Sequence, residues 1–270
     1  MSIKRAAKRA INLSRVFCLS VVFMSVGAVA EQKISVQSAS TVTPLLELYT
    51  SEGCSSCPRA DEWLGKLGAA LDADFHALPL AFHVDYWNRL GWIDPFAKAE
   101  FTKRQEMIAM DNRQSTLYTP QFVISGKDAK GSNNLIEQVY FSNTQAAKLS
   151  IELHVTSEQS NQIQAEVLVN NMNIDGAAKL YVAVFENDLV NEIPAGENKG
   201  RTLHHEFVVR YWSHPQGLSL DKNEHQKTIE IPLGDEWENQ NLGVAAVVID
   251  DEDGETLQSV STSIKTLFES

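Results

Sequence analysis

Cys54 and Cys57, separated by Ser55 and Ser56, are the residues of this chain whose type and spacing most directly imply chemistry. They follow a short apolar run, Leu45 to Thr50, and precede Pro58 and an apolar stripe at helical spacing formed by Ala60, Trp63, Leu64, Leu67 and Leu71. The pair therefore sits where a strand ends and a helix opens. Unpaired N–H groups and the positive dipole end of a helix favour an anion, so a thiolate is stabilised there. A lowered thiol pKa in a C-x-x-C motif supplies the nucleophile for disulfide exchange. Cys54 is expected to attack, and Cys57, one turn in, to resolve the mixed disulfide. Two other uses compete. As a structural staple, a four-residue ring contributes only about 1.9 kcal/mol by loop entropy, against about 4.7 for a 100-residue loop. As a metal site the pair lacks partners for tetrahedral zinc, because His76 and His83 are the only histidines nearby in sequence. A two-thiolate copper(I) site stays open. No cofactor and no resident metal are assigned.

The elements that must position the pair read differently in two stretches. From Leu45 to about Ala147, strand-like runs (Leu45–Thr50, Ala77–Val84, Gln121–Ser125) alternate with helical ones, in the order β-α-β-α-β-(β)-α. Asp94-Pro95 reads as an N-cap followed by a first-turn proline, opening a helix through about Asp111. Such alternation predicts a mainly parallel α/β layer structure. From Lys148 the texture changes to short runs alternating apolar and polar residues, such as Leu149, Ile151, Leu153 and Val155, separated by turns such as Asp175-Gly176. That pattern predicts an antiparallel sandwich, immunoglobulin-like in a loose sense.

Residues 1–30 read as a secretory signal peptide. Lys4, Arg5, Lys8, Arg9 and Arg15 precede an apolar stretch from Val16, which ends at Ala28-Val29-Ala30. That stretch is short for a membrane span, which takes about 20 residues, and no later segment could span. Export to the periplasm or beyond is the expectation. Without that segment the chain carries 18 bases against 35 acids, a net −17, which repels nucleic acid and anionic lipid. Only Cys54 and Cys57 remain of three cysteines, so the mature chain is not a disulfide-stapled scaffold.

The stretch Glu47 to Cys57, a strand ending Tyr-Thr ahead of Gly-Cys-x-x-Cys, resembles the active-site entry of glutaredoxins. Thr119-Pro120 is similar to the cis-proline loop of the thioredoxin superfamily, whose residue before proline offers its backbone to an extended substrate. More of the chain resembles one exported bacterial family, domain of unknown function 1223. The resemblance rests on residues 48–61 (Leu-Tyr-Thr-Ser-Glu-Gly-Cys-Ser-Ser-Cys-Pro-x-Ala-Asp), 82–87 (Phe-His-Val-Asp-Tyr-Trp), 90–96 (Leu-Gly-Trp-x-Asp-Pro-Phe), 118–121 (Tyr-Thr-Pro-Gln) and 196–205 (Gly-Glu-Asn-x-Gly-Arg-Thr-Leu-x-His). With the change of pattern at Lys148, the expected organisation is an α/β thioredoxin-like domain over 31–147 followed by an all-β immunoglobulin-like sandwich domain over 148–270; of this the resemblance implies the thioredoxin-like fold, together with an exported location. It also implies a redox role, and names no substrate. One departure concerns the acid that thioredoxins place six residues before the first cysteine. Leu48 stands there, and the adjacent Glu47 points to the opposite face of its strand.

Asp85 and Trp87 follow the second strand and are expected, with Thr119 and Pro120, to form a substrate-facing wall; Trp92 could join them. His83 reads either as a core histidine or as a group reaching the cysteines. Arg59 would lower a thiol pKa, while Glu52, Asp61 and Glu62 would raise it. In the second stretch, His204 and His205 must face opposite sides of a strand, so a joint metal site with Arg201, Arg210 and His214 is not expected. The acidic run 250–255 reads as a hairpin turn. The function so predicted is thiol–disulfide exchange with substrate proteins, small thiols or a redox partner. The alternative is a non-catalytic protein that binds copper(I) or a partner through the same pair.

Overall fold

The structure, a computed structural model, describes residues 32–129, 132–159, 161–171 and 174–269. The leader-like segment 1–30 lies outside the described residues. In chain order the elements are β1 (Lys33–Gln37), β2 (Leu45–Thr50), α1 (Pro58–Ala70), β3 (Leu78–His83), α2 (Ala99–Asp111), β4 (Gln121–Ile124), β5 (Lys127–Ala129) and α3 (Ser132–Asn143). There follow β6 (Leu149–Gln159), β7 (Gln162–Asn171), β8 (Ala177–Glu186), β9 (Leu189–Glu192), β10 (Thr202–His205), β11 (Val208–Trp212), β12 (Gln216–Ser219), β13 (Glu224–Pro232), β14 (Leu242–Asp250) and β15 (Thr256–Ser263). Among the described residues no helix is long and apolar enough to cross a membrane.

An α/β thioredoxin-like domain followed by a separate immunoglobulin-like sandwich is not what the chain builds. The molecule is mostly β, and its largest sheet runs through both stretches in the order β15-β14-β8-β11-β3-β2-β4-β5, with β12 also paired to β8. Among the described residues only β2–β3 and β3–β11 of this sheet pair in parallel; β2–β4, β4–β5, β8–β11, β8–β12, β8–β14 and β14–β15 are antiparallel. The physical cause is the outer edge of β3. Every residue of β3 is buried, so its free backbone groups need a partner, and an uncovered edge is an aggregation hazard. β11 supplies that partner: Val208 pairs with Ala81, whose N–H donates to the Phe207 carbonyl at 2.8 Å. An apolar run signals burial, but it does not reveal which strand will lie beside it.

The alternation along the later strands puts a core on each side of this sheet. Leu180, Val182 and Val184 of β8, with Val244, Ala246 and Val248 of β14, pack against the four-stranded sheet β1-β6-β7-β13. The intervening Ala183, Phe185, Ala245 and Val247 face the other way and join Leu45, Tyr49, Phe82 and Phe101 of β2, β3 and α2. A third core lies where Leu46 and Leu48 meet Leu64 of α1 and Leu135 and Val139 of α3. The helix predicted from Asp94 begins only at Ala99: Asp94 Oδ1 accepts from the Phe96 N–H at 2.9 Å and its carbonyl from the Ala97 N–H at 3.2 Å, which closes a single turn ahead of the helix.

Candidate functional site

Cys57 occupies the N-cap of α1, with Pro58 in the first turn, where a missing N–H costs nothing. The N–H groups of Ala60 and Asp61 donate to the Cys57 carbonyl at 2.8 and 3.1 Å, closing the first turn. Cys54 and Cys57 are joined in a disulfide. Both are buried, at 1% and 0% exposure, whereas Ser55 and Ser56 between them are exposed. Ser56 Oγ lies 3.3 Å from Cys54 Sγ.

Two loops frame the pair. The Thr119–Pro120 peptide bond is cis, and the loop is fixed from behind by Gln105 of α2, which donates to the Tyr118 carbonyl at 2.9 Å and to Gln121 Oε1 at 2.7 Å. Trp87 links this loop to the cysteines. Its indole N–H donates to Thr119 Oγ1 at 2.8 Å, and it packs so closely on Gly53 that an added Cβ there would lie 3.0 Å from Trp87 Cβ. Asp85 is engaged differently: its carboxylate accepts from Thr102 Oγ1 of α2 at 2.6 Å. The second loop, residues 195–201, comes from the later stretch of the chain. Asn198 donates to the carbonyls of Glu52 and Cys54 at 2.8 and 3.0 Å, and Glu197 accepts from the Ser55 N–H at 3.2 Å.

Beside the pair lies a buried polar cluster. Glu52 accepts from Trp92 Nε1 at 2.8 Å and Asn191 Nδ2 at 2.9 Å, and lies 3.1 Å from His205 Nε2. Asp61, one turn into α1, accepts from Thr50 Oγ1 at 3.1 Å and stands 3.9 Å from His205 Nδ1. His83 Nδ1 is 2.7 Å from Asp94 Oδ2, which also accepts from the Glu52 N–H at 2.8 Å. Burial opposes the charged form of His205, but the Asp61 and Glu52 carboxylates outweigh it and push its pKa up to about 10. Among the described residues, Asp61, His83 and His205 are the side chains grouped closely enough to hold a metal ion.

The family model described as a protein of unknown function (DUF1223) matches residues 45–249. The chain belongs to this family. No curated protein matches it by sequence. Solved structures that share its fold include the following two. A structural-genomics protein of Agrobacterium tumefaciens aligns with a TM-score of 0.62 at 22% identity, covering 83% of this chain and 95% of the other. HBP35 of Porphyromonas gingivalis aligns with a TM-score of 0.61 at 17% identity, covering 84% of this chain and 76% of the other.

The DUF1223 match spans β2 into β14 and so contains every group of the site. Of the residues expected at the site, the structure brings Cys54, Cys57, Trp87, Thr119 and Pro120 into one bonded or packed chain of contacts, while the Asp85 carboxylate turns to Thr102 of α2. Trp92 reaches the same neighbourhood through Glu52, and His83 proves a buried histidine held by Asp94. His204 is exposed and His205 buried, on opposite faces as strand alternation requires. Arg59 and Glu62 are exposed. The roles of Asn198 and His205 were missed, since both lie more than a hundred residues from the cysteines. Asp61, four residues after Cys57 and hence on the same helix face, and Glu52, two before Cys54, carried a local signal as charges near the thiols, and His83 as a group able to reach them.

Proposed function

We propose that this protein is a thiol–disulfide oxidoreductase whose Cys54–Cys57 pair cycles between dithiol and disulfide. The observation that carries the reading is the junction at Trp87, which packs on Gly53 beside the disulfide and bonds Thr119 of the cis-proline loop. In the dithiol form the N-terminal end of α1 favours a thiolate at Cys54. That thiolate attacks one sulfur of a substrate disulfide; a mixed disulfide forms, and the other substrate sulfur leaves as a thiolate and is protonated by solvent. Cys57, as thiolate, then attacks Cys54 Sγ, releasing the second substrate thiolate and restoring the Cys54–Cys57 bond. Two electrons pass to the substrate, and in reverse the disulfide oxidises a dithiol. Thr119, Pro120 and Trp87 would hold the substrate chain, with Asp85 at the margin. Burial of Cys54 means that the segment bonded to it through Asn198 must shift for the sulfur to be reached.

Trapping tests this. Cys57→Ser should accumulate mixed disulfides through Cys54 with a thiol substrate or client protein, released by dithiothreitol, and Cys54→Ser should not. Absence of adducts from both variants would sink the reading. Burial of both sulfurs favours a second reading, a non-catalytic pair that binds copper(I) when reduced or serves a partner-binding surface; that reading requires copper(I) uptake or partner capture without adducts. The leader pattern of residues 1–30 further supports export to the periplasm or beyond. N-terminal sequencing of the mature protein should then begin at Glu31, and an intact Met1 terminus would contradict it.

A further inference from the structure

The polar cluster beside the disulfide buries three carboxyl groups and two imidazoles together. Glu52, Asp61 and Asp94, with His83 and His205, are each at most 6% exposed. Buried carboxylates are tolerated when paired or when they coordinate a cation. The donors around these three, apart from the two imidazoles, are neutral: Thr50, Trp92, Asn191 and backbone N–H groups. Among the described residues no lysine or arginine forms an ion pair with any of them.

Two imidazole nitrogens lie buried without a hydrogen-bond partner, His83 Nε2 and His205 Nδ1. The opposite nitrogen of each ring meets a carboxylate: Asp94 for His83 and Glu52 for His205. A histidine held at one nitrogen by a carboxylate and free at the other is the arrangement found in metal-ligating histidines, where the carboxylate fixes tautomer and ring orientation. Asp61 completes the set, steadied by the Thr50 hydroxyl. Its 3.9 Å gap to His205 Nδ1 is too long for a hydrogen bond. One donor atom from each of Asp61, His83 and His205 falls within 4.8 Å of the others. Zinc bonds of about 2.0–2.2 Å hold tetrahedral ligands roughly 3.4 Å apart, so side-chain shifts of about 1 Å close the set.

We propose that Asp61, His83 and His205 form a binding site for a divalent first-row transition-metal ion, with Asp94, Glu52 and Thr50 orienting the ligands. Two imidazoles and one carboxylate suit Zn²⁺ or Fe²⁺ rather than Ca²⁺ or Mg²⁺, which take all-oxygen sets. Three protein ligands leave a position open for water or another ligand. Neither cysteine sulfur is among the ligands.

The test uses the full chain, stripped with a chelator and titrated with Zn²⁺, with bound metal quantified after desalting; Co²⁺ serves as a spectroscopic probe. One ion per chain is expected, with a cobalt spectrum of nitrogen and oxygen ligands that lacks thiolate charge transfer. Cys54→Ser/Cys57→Ser should bind as the unaltered chain does. Asp94→Asn should weaken affinity about 10–100-fold, and His205→Gln by more. If His205→Gln does not fold, the unaltered chain's cobalt spectrum and Asp94→Asn decide. Failure of the folded chain to retain zinc, a thiolate charge-transfer band, or unchanged affinity in Asp94→Asn would each overturn the proposal.

Discussion

Glu47 and Leu48 are neighbours on β2, yet they belong to different environments. Leu48 enters the core with α1, whereas Glu47 points to the other face and receives Arg104 of α2 through bonds of 2.7 and 3.0 Å, plus the Tyr49 hydroxyl at 2.7 Å. The Arg104 guanidinium also lies 4.6 Å from the centre of the Trp212 ring. Because Glu47 is almost wholly buried, removing its partner strands a charge. Arg104→Met should cost about 3–5 kcal/mol in urea unfolding, and Glu47→Gln added to it should recover part of that loss; a cost below about 1 kcal/mol would place the pair in effectively aqueous surroundings. At this scale the cysteine pair, the cis-proline loop and the opposed facing of Glu47 were legible, since each depends on local spacing or strand alternation. The meeting of Asp61, His83 and His205 was not, because nothing in local spacing tells which distant strand approaches α1.

Elements meet at points that only glycine or a short polar side chain can occupy. Gly126, in the turn between β4 and β5, has φ +74°, and a Cβ there would collide with the Gly254 carbonyl in the turn between β14 and β15. Gly126→Ala should therefore destabilise by about 1–3 kcal/mol, whereas Gly176→Ala, at φ +116° with open space around it, suffers only the backbone penalty. Equal losses in thermal unfolding would contradict the contact. At the start of β3, His76 faces Thr41 and Thr43 and is joined by Asn143 at the end of α3. Burial pushes its pKa down, against the weaker opposing pull of Asp72. The neutral ring is thus favoured by folding: its contribution is complete above about pH 6.5, the unfolded value, and is lost as pH falls through the lowered folded value. Unfolding curves should show a loss on acidification that is smaller in His76→Asn; identical pH profiles would rule this out. Helix boundaries were only partly legible. Asp94-Pro95 has the form of a helix start, and Asp94 does accept from the Phe96 N–H, but it closes only one turn while its other oxygen holds His83, and the helix waits until Ala99.

Across the whole molecule, the decisive feature is that β11 lies beside β3 and that Asn198 and His205 close over the cysteine loop. Among the described residues the elements after Lys148 are strands with two short 3-10 turns, Asn239–Asn241 and Lys265–Leu267, but sequence texture reports local periodicity and not sheet membership. A fragment ending at 147 leaves β3 with a bare edge and Glu52 without His205 and Asn191. We expect it to lack a cooperative thermal transition, and a fragment that melts cooperatively with native-like dispersion of its amide spectrum would contradict the shared sheet. The same enclosure bears on the disulfide, whose sulfurs are buried by both stretches of the chain. The most direct measurement is the reduction potential of the Cys54–Cys57 couple in the intact protein, read by alkylation and mass shift in glutathione buffers. A redox-active pair should equilibrate between about −120 and −270 mV, the span of working exchangers, whereas a pair that resists reduction to below about −300 mV would be a structural disulfide and would contradict the proposed activity.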